Sequence, residues 1–252
     1  MQKATLLIDG DILAYQASSS VQRDIDWGNG LWTCHAFLDD AVEQFQNILF
    51  EITSKFENPY TVFCFSDDDN FRKTVYPEYK SNRLGKRKPT CYRGLVEYIR
   101  QNYTSNVLPH IEGDDVIGIL ATANSFDSPI IVSMDKDMKT IPGKFYNFNK
   151  DELLEITPEQ SKYWHMFQTL TGDTTDGYPG CPSYGPVKAK KLLDSLDPKD
   201  YYDAVIEAYK KNGLSYEDFL TQARLAFILR YRWYDLDKKL PKLWEPCNKT
   251  NP

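Results

Sequence analysis

Short apolar runs that end at an aspartate recur along this chain, and that repetition limits the folds open to it. Thr5-Leu6-Leu7-Ile8 runs into Asp9, Tyr60 to Phe65 into Ser66-Asp67, and Pro129 to Ser133 into Met134-Asp135. Each run is long enough for a buried strand and too short for a buried helix. Segments of helical period lie between them. Phe37, Ala41, Phe45, Ile48, Leu49, Ile52 and Phe56 share one face of a helix expected over 34–56. Tyr92 to Gln101 reads as a second helix, and Glu112-Gly113-Asp114-Asp115 opens a third over 116–123. Residues 106–108 read as a short strand, and 145–148 with 153–156 as a hairpin. Strands separated by helices predict an α/β fold, a mostly parallel central sheet with helices on both faces. Such sheets bind ligands at the carboxyl ends of their strands, where Asp9, Asp67 and Asp135 are expected to meet.

The pattern changes at about residue 157. Thr157-Pro158-Glu159-Gln160 combines an N-cap, a proline in the first turn and a capping-box glutamine. Residues 172–185 are rich in Gly, Pro, Asp and Thr and read as a structured loop. Helices are expected over 186–193, 199–211 and 215–231. The division is therefore an α/β part over 1–156 and a helical part over 157–252, packed as one unit.

No apolar run approaches the roughly 18 residues of a membrane span. Met1-Gln2-Lys3-Ala4-Thr5 leads straight into the first strand, so a cytoplasmic protein is expected. The five cysteines, Cys34, Cys64, Cys91, Cys181 and Cys247, are odd in number and scattered, which argues against a disulfide framework or a zinc site. The net charge of −6 opposes nucleic-acid binding on its face. Its distribution reverses that. Between Arg72 and Arg93 there are eight basic residues and one acidic one, Glu78.

Asp9, Asp67, Glu112, Asp114, Asp115, Asp135, Asp137, Asp173 and Asp176 stand at the edges of apolar elements or at loop-to-helix junctions. Gathered together they would raise one another's pKa, and divalent cations relieve that repulsion. Oxygen-only ligands suit Mg²⁺ or Mn²⁺. Taken singly, each could equally cap a helix or a turn. In the basic stretch, Arg72, Lys80, Arg83, Lys86, Arg87 and Lys88 can neutralise phosphates, and Tyr79 can stack on an unpaired base. The loop through Gly180 to Gly185, followed by Lys188, Lys190 and Lys191, offers backbone N–H groups and cations to a phosphate.

Together these motifs resemble the flap-endonuclease or 5′-nuclease superfamily, and within it the 5′→3′ exonucleases of small lytic podoviruses. The resemblance rests on Ile8-Asp9-Gly10-Asp11, Tyr79-Lys80-Ser81-Asn82-Arg83, Glu112-Gly113-Asp114-Asp115, Asp135-Lys136-Asp137 and Gly172-Asp173-x-x-Asp176-Gly177. It implies a PIN-like core with a C-terminal helix-three-turn-helix, and 5′→3′ exonuclease action by two-metal hydrolysis. The nine carboxylates match the family's metal-binding positions, with Mg²⁺ as cofactor and Mn²⁺ able to replace it. Lys80 and Arg83 match the contacts to the scissile phosphate. The loop and helix over 177–193 match the part that grips duplex backbone and holds a K⁺ ion. The implied substrate is double-stranded DNA with a 5′ end, nick or flap, or an RNA/DNA hybrid, bound by a monomer. Between Arg83 and Tyr92 the chain is shorter than in relatives that thread a flap, which favours exonuclease over strict flap endonuclease action. Rival readings are a haloacid-dehalogenase-type phosphatase using Asp9 as nucleophile, an RNase of the PIN class, and a DNA-binding scaffold without catalysis.

Overall fold

Successive side chains of a strand point to opposite faces, and in the first strand both faces are apolar. Leu6 and Ile8 pack on one side of the sheet and Leu7 on the other, all three fully buried. A strand of this kind belongs at the centre of a sheet covered by helices on both sides. The computed structural model, which describes residues 3–246, places it there. In chain order the elements are β1 (Thr5–Asp9), α1 (Gly10–Val21), β2 (Arg23–Asp26), β3 (Trp32–His35), α2 (Leu38–Thr53), β4 (Tyr60–Phe65), α3 (Arg72–Val75), α4 (Tyr92–Asn102), β5 (Ser105–Val107), α5 (Gly113–Thr122) and β6 (Ile130–Ser133). They continue with β7 (Gly143–Asn147), β8 (Glu152–Ile156), α6 (Pro158–Thr171), α7 (Pro186–Leu193), α8 (Tyr201–Lys211), α9 (Tyr216–Ala226), β9 (Tyr234–Asp235) and β10 (Leu240–Pro241).

The main sheet has the order β5-β4-β1-β6-β7-β8. Every pairing is parallel except that of β7 with β8. β1 lies between β4 and β6, the point where strand order reverses, so the loops after these three strands open a crevice at their carboxyl ends. One face carries α1, α2 and α4, packed on Leu6, Ile8, Phe63 and Val132. The other carries α5 and the helical part, in one continuous core from Leu7, Val62 and Ile131 to Phe219, Leu220 and Trp244.

Several expectations shift. The helix over 34–56 is shorter, because Cys34 and His35 belong to β3 and Phe37 is the solvent-exposed N-cap of α2. α1 and the β2–β3 hairpin were not anticipated. The hairpin turns through Gly28, Asn29 and Gly30, all at positive φ. The last helix stops at Ala226 rather than 231, since the Leu229 N–H goes to Asp115 Oδ1 at 2.8 Å. The capping box of Thr157 and Gln160 forms as the residues dictate. Cys247 and the ends of the 1–156 and 157–252 divisions lie outside the described residues.

Candidate active site

Asp9 ends β1 and caps α1, so the chain passes from strand to helix with no intervening loop. One Asp9 oxygen accepts the Ile12 N–H at 3.0 Å and the other accepts the Ser133 hydroxyl at 2.9 Å. Ser133 Oγ in turn accepts the Asp135 N–H at 3.0 Å, and Asp135 Oδ1 the Asp137 N–H at 2.8 Å. The ends of β1 and β6 are thus tied together through their acids. Asp114, in the first turn of α5, completes the group.

Burial pushes the Asp9 carboxyl up to about 7, with the Asp11 and Asp135 charges adding to it. Burial and the charges of Asp9, Asp135 and Glu112 hold Asp114 well above the carboxylate range. Asp137 rises to about 7 through burial and then through Asp135. Asp135 is raised by burial, with Asp176 and Asp173 adding. These acids disfavour one another's charge. They are placed to welcome an added cation.

Beside them lies a second group in which Glu112 and Asp176 each have a cation. The segment 79–83 is laced to the loop over 173–178. The Lys80 N–H donates to Asp176 O at 2.7 Å, and Asn82 Nδ2 to Thr174 O at 2.8 Å. Arg83 Nη2 reaches Asp176 Oδ1 at 2.5 Å. Lys80 Nζ pairs with Glu112 and lies 3.6 Å from Asp176 Oδ2. Burial would raise the Glu112 carboxyl, but the Lys80 and Arg72 charges and the bonds from Lys80 and Tyr79 outweigh it and hold it at about 2. Asp173 shapes its own loop, accepting the Thr175 N–H at 2.6 Å and the Asp176 N–H at 3.3 Å.

Five of the residues singled out in the sequence sit differently from expectation. Asp115 does not face the acidic group. It holds Arg72, which is 2% exposed and so unavailable to DNA. Tyr79 is 3% exposed, too buried to stack on a base. Its ring lies against Tyr178, and its hydroxyl donates to Glu112 and Asp176, each at 2.9 Å. Asp67 holds the 109–111 loop with one oxygen, its Oδ2 accepting the His110 N–H at 2.8 Å. Gly180 is also buried, and its N–H goes to Gln222 Oε1 at 2.8 Å rather than outward to a phosphate. A Cβ on Gly180 would collide with Gly172 N and Leu170 O, so this turn requires glycine.

Lys86, Arg87 and Lys88 are exposed as expected, and Lys88 Nζ lies 4.1 Å from the Tyr92 ring centre. Gly185 and Lys191 are exposed, Lys188 covers the Tyr184 ring at 4.0 Å, and Lys190 pairs with Asp194 at 2.8 Å. Asp11 and Tyr92 reach the site although the sequence reading gave neither a part in it. Tyr92 donates to Asp11 Oδ1 at 2.7 Å. The Asp-x-Asp spacing of Asp9 and Asp11 was the available signal.

Residues 4–162, more than half of the chain, match the family described as 5′-3′ exonuclease, N-terminal resolvase-like domain. The chain is 30% identical to the exonuclease of Escherichia phage T7, over 97% of this chain and 94% of that protein. It is 31% identical to the exodeoxyribonuclease of Enterobacteria phage T3, over 97% of this chain and 93% of that one. Its fold is similar to that of the bacteriophage T5 flap endonuclease, in a pseudo-enzyme-product complex with DNA and metal ions. There the TM-score is 0.60 at 13% identity, over 89% of each chain. On the family match over residues 4–162 and the identity to the two phage exonucleases, the chain belongs to the 5′-3′ exonuclease family.

Proposed function

We propose that this protein is a divalent-metal-dependent 5′→3′ exonuclease that acts on duplex DNA at ends, nicks or flaps. The observation that carries this reading is the pairing of two charge environments. Buried Asp9 and half-buried Asp114, Asp135 and Asp137, which form no ion pair within 4 Å among the described residues, adjoin Lys80 and Arg83, which are held at Glu112 and Asp176. The family's namesake activity and the phage relatives support it.

The residues fit the metal that this chemistry implies. Their donors are all oxygens, suited to Mg²⁺ with Mn²⁺ in its place, and their summed charge exceeds what one divalent ion offsets. Among the described residues no three such groups form a ready-made metal cage. Bound there, divalent cations supply Lewis acidity that activates the attacking water and offsets charge on the phosphate. Asp9, Asp114, Asp135 and Asp137 hold this charge, together with Glu112, Asp173 and Asp176. Lys80 and Arg83 contact the scissile phosphate and stabilise its developing charge. Lys86, Arg87 and Lys88 engage the DNA backbone ahead of the site, and Lys188, Lys190 and Lys191 on α7 engage the duplex. The K⁺ ion of the family fits the 180–185 turn less well, because the Cys181 carbonyl already accepts the Tyr184 N–H at 3.1 Å. No step here depends on it.

RNA in RNA/DNA hybrids is a second substrate in this proposal, and the acting form is a monomer in the cytoplasm. Among the described residues no helix is long and apolar enough to cross a membrane. A phosphatase using Asp9 as nucleophile is disfavoured, since that scheme gives the basic segment and the lysines of α7 no role. The test uses a nicked duplex labelled at either end of the nicked strand, with Mg²⁺ and with EDTA. Stepwise loss from the 5′ side in Mg²⁺ alone is expected. Loss from the 3′ side, or cleavage in EDTA, would overturn the reading.

A further inference from the structure

Lys80 has a left-handed backbone, with φ 56° and ψ 18°. For a residue with a Cβ this region is strained, and it persists only where the surroundings impose it. Among the described non-glycine residues at positive φ, all but Lys80 and Lys239 are Asn, Asp, Ser or His. Lys239 lies in the exposed turn between β9 and β10. Lys80 lies in no hairpin, so its conformation is imposed from elsewhere in the chain.

The loop over 173–178 imposes it. Three successive carbonyls of that loop face the 80–83 turn. Asp176 O accepts the Lys80 N–H at 2.7 Å, Thr175 O accepts from Arg83 Nε at 3.2 Å, and Thr174 O accepts from Asn82 Nδ2 at 2.8 Å. Asn82 Nδ2 also reaches Thr175 O at 3.3 Å. The loop is itself stiffened. Asp173 and Tyr178 exchange backbone hydrogen bonds at 2.9 and 3.1 Å, and Asp173 Oδ1 accepts the Thr175 N–H at 2.6 Å.

The side-chain bonds of the turn differ in what a bound phosphate does to them. Lys80 Nζ is held at Glu112, and Arg83 at Asp176 and Thr175 O. Both cations are assigned to the scissile phosphate, which competes for these donors. The Asn82 amide has no such second duty, and its bonds to the loop backbone need not change during the reaction.

We infer that Asn82 is a positioning residue, which clamps the 80–83 turn to the 173–178 loop and so keeps Lys80 in its left-handed conformation, aimed into the site. The inference rests on the phosphate contact of Lys80 proposed above. Without the clamp, the Lys80 backbone relaxes toward the ordinary right-handed region and carries the ammonium off line.

The test is single-turnover cleavage of a 5′-labelled nicked duplex in Mg²⁺ by the full chain. It compares wild type, Asn82→Ala, Asn82→Asp, Lys80→Ala and the Asn82→Ala/Lys80→Ala double variant. Duplex affinity is read by fluorescence anisotropy in Ca²⁺, and urea unfolding checks each fold. Asn82→Ala is expected to cut about 10-fold more slowly, within the roughly 100-fold loss that a misplacement of about 1 Å can bring. Asn82→Asp keeps the shape but sets a carboxylate against the Thr174 and Thr175 carbonyls, so it should be at least as slow. Duplex affinity and the urea midpoint should stay at their wild-type values, since Asn82 is exposed and binds only its own chain. In the Lys80→Ala background, Asn82→Ala should slow cleavage by less than about 2-fold, because no ammonium remains to be positioned. A general loss of fold would instead slow both backgrounds alike. A wild-type rate in Asn82→Ala, a loss confined to duplex affinity, or the same loss with and without Lys80 would overturn the inference. A wild-type rate in Lys80→Ala would overturn the phosphate contact on which it rests.

Discussion

Asp115 holds Arg72 by two parallel hydrogen bonds, Nη1 to Oδ2 at 2.6 Å and Nη2 to Oδ1 at 2.8 Å, both side chains shut off from solvent. Arg72 directs its remaining donors to Leu225 O at 3.1 Å and Phe227 O at 2.7 Å, the carbonyls at the end of α9, and to Glu112 Oε2 at 3.5 Å. The pair therefore joins α3, α5 and α9. Its neighbour Asp114 faces the acidic group instead. Removing one partner of a buried pair strands a charge, so Asp115→Asn should destabilise the fold by about 3–5 kcal/mol in urea unfolding. Asp114→Asn should not destabilise the metal-free protein, since it removes a repelled charge, yet should abolish cleavage. Equal stability losses in the two variants would contradict this division.

Tyr79 clasps Glu112 and Asp176 through its hydroxyl. Tyr79→Phe keeps the ring against Tyr178 and removes only these bonds. Hydrogen bonds to charged groups contribute about 1.5–3 kcal/mol, so kcat should fall about 10-fold or more while KM for nicked DNA changes little. If the ring instead stacked on a base, Tyr79→Phe would be silent. Single-turnover and steady-state rates on one substrate separate the two.

The raised acids give stability a definite pH slope. Asp9 and Asp137 titrate at about 7 in the folded protein and near their ordinary value of 3.8 when unfolded. Between those values the folded state holds protons that the unfolded state has released, so metal-free stability falls as pH rises from about 4 to about 7. A divalent cation should oppose that loss. Mg²⁺ should therefore raise the melting temperature more at pH 8 than at pH 5, and Asp9→Asn should shrink the difference. Thermal melts at the two pH values, with Mg²⁺ or EDTA, test this. A larger Mg²⁺ effect at pH 5 would refute it.

On the proposed reading, the exposed cations of the 84–91 segment act on phosphate without reading sequence. Lys86→Ala combined with Arg87→Ala should weaken binding of any duplex and reduce the slope of log affinity against log salt by about 2, roughly one per cation. Fluorescence anisotropy in Ca²⁺ at several salt concentrations measures it. An unchanged slope would place the DNA elsewhere.

Legibility in the sequence followed locality. β1, β4 and β6 are continuous apolar runs bounded by polar residues, and their parallel pairing follows from the helices between them. The Thr157 capping box needs only four consecutive residues. α1 was missed because Asp9 is at once strand end and helix cap, leaving no turn residues to mark the change. The β2–β3 hairpin did carry a signal, Gly28-Asn29-Gly30, between residues of strand propensity. Asp114 and Asp115 could not be told apart, because what separates them is Arg72, 43 residues from Asp115 in sequence. The burial of Tyr79 likewise depends on Tyr178, and the commitment of Asp67 on the His110 loop.

The most direct test of the account is the single-turnover rate on a 5′-labelled nicked duplex in Mg²⁺, for wild type, Asp135→Asn and Lys80→Ala. Urea unfolding of each variant is measured alongside. Wild type is expected to give 5′ products. Asp135→Asn should lose detectable chemistry, and Lys80→Ala should be slower by about 100-fold or more, the scale seen when one group that stabilises developing charge is removed. Folding of all three should stay intact. Wild-type rates in either folded variant would contradict the assignment of cleavage to this site.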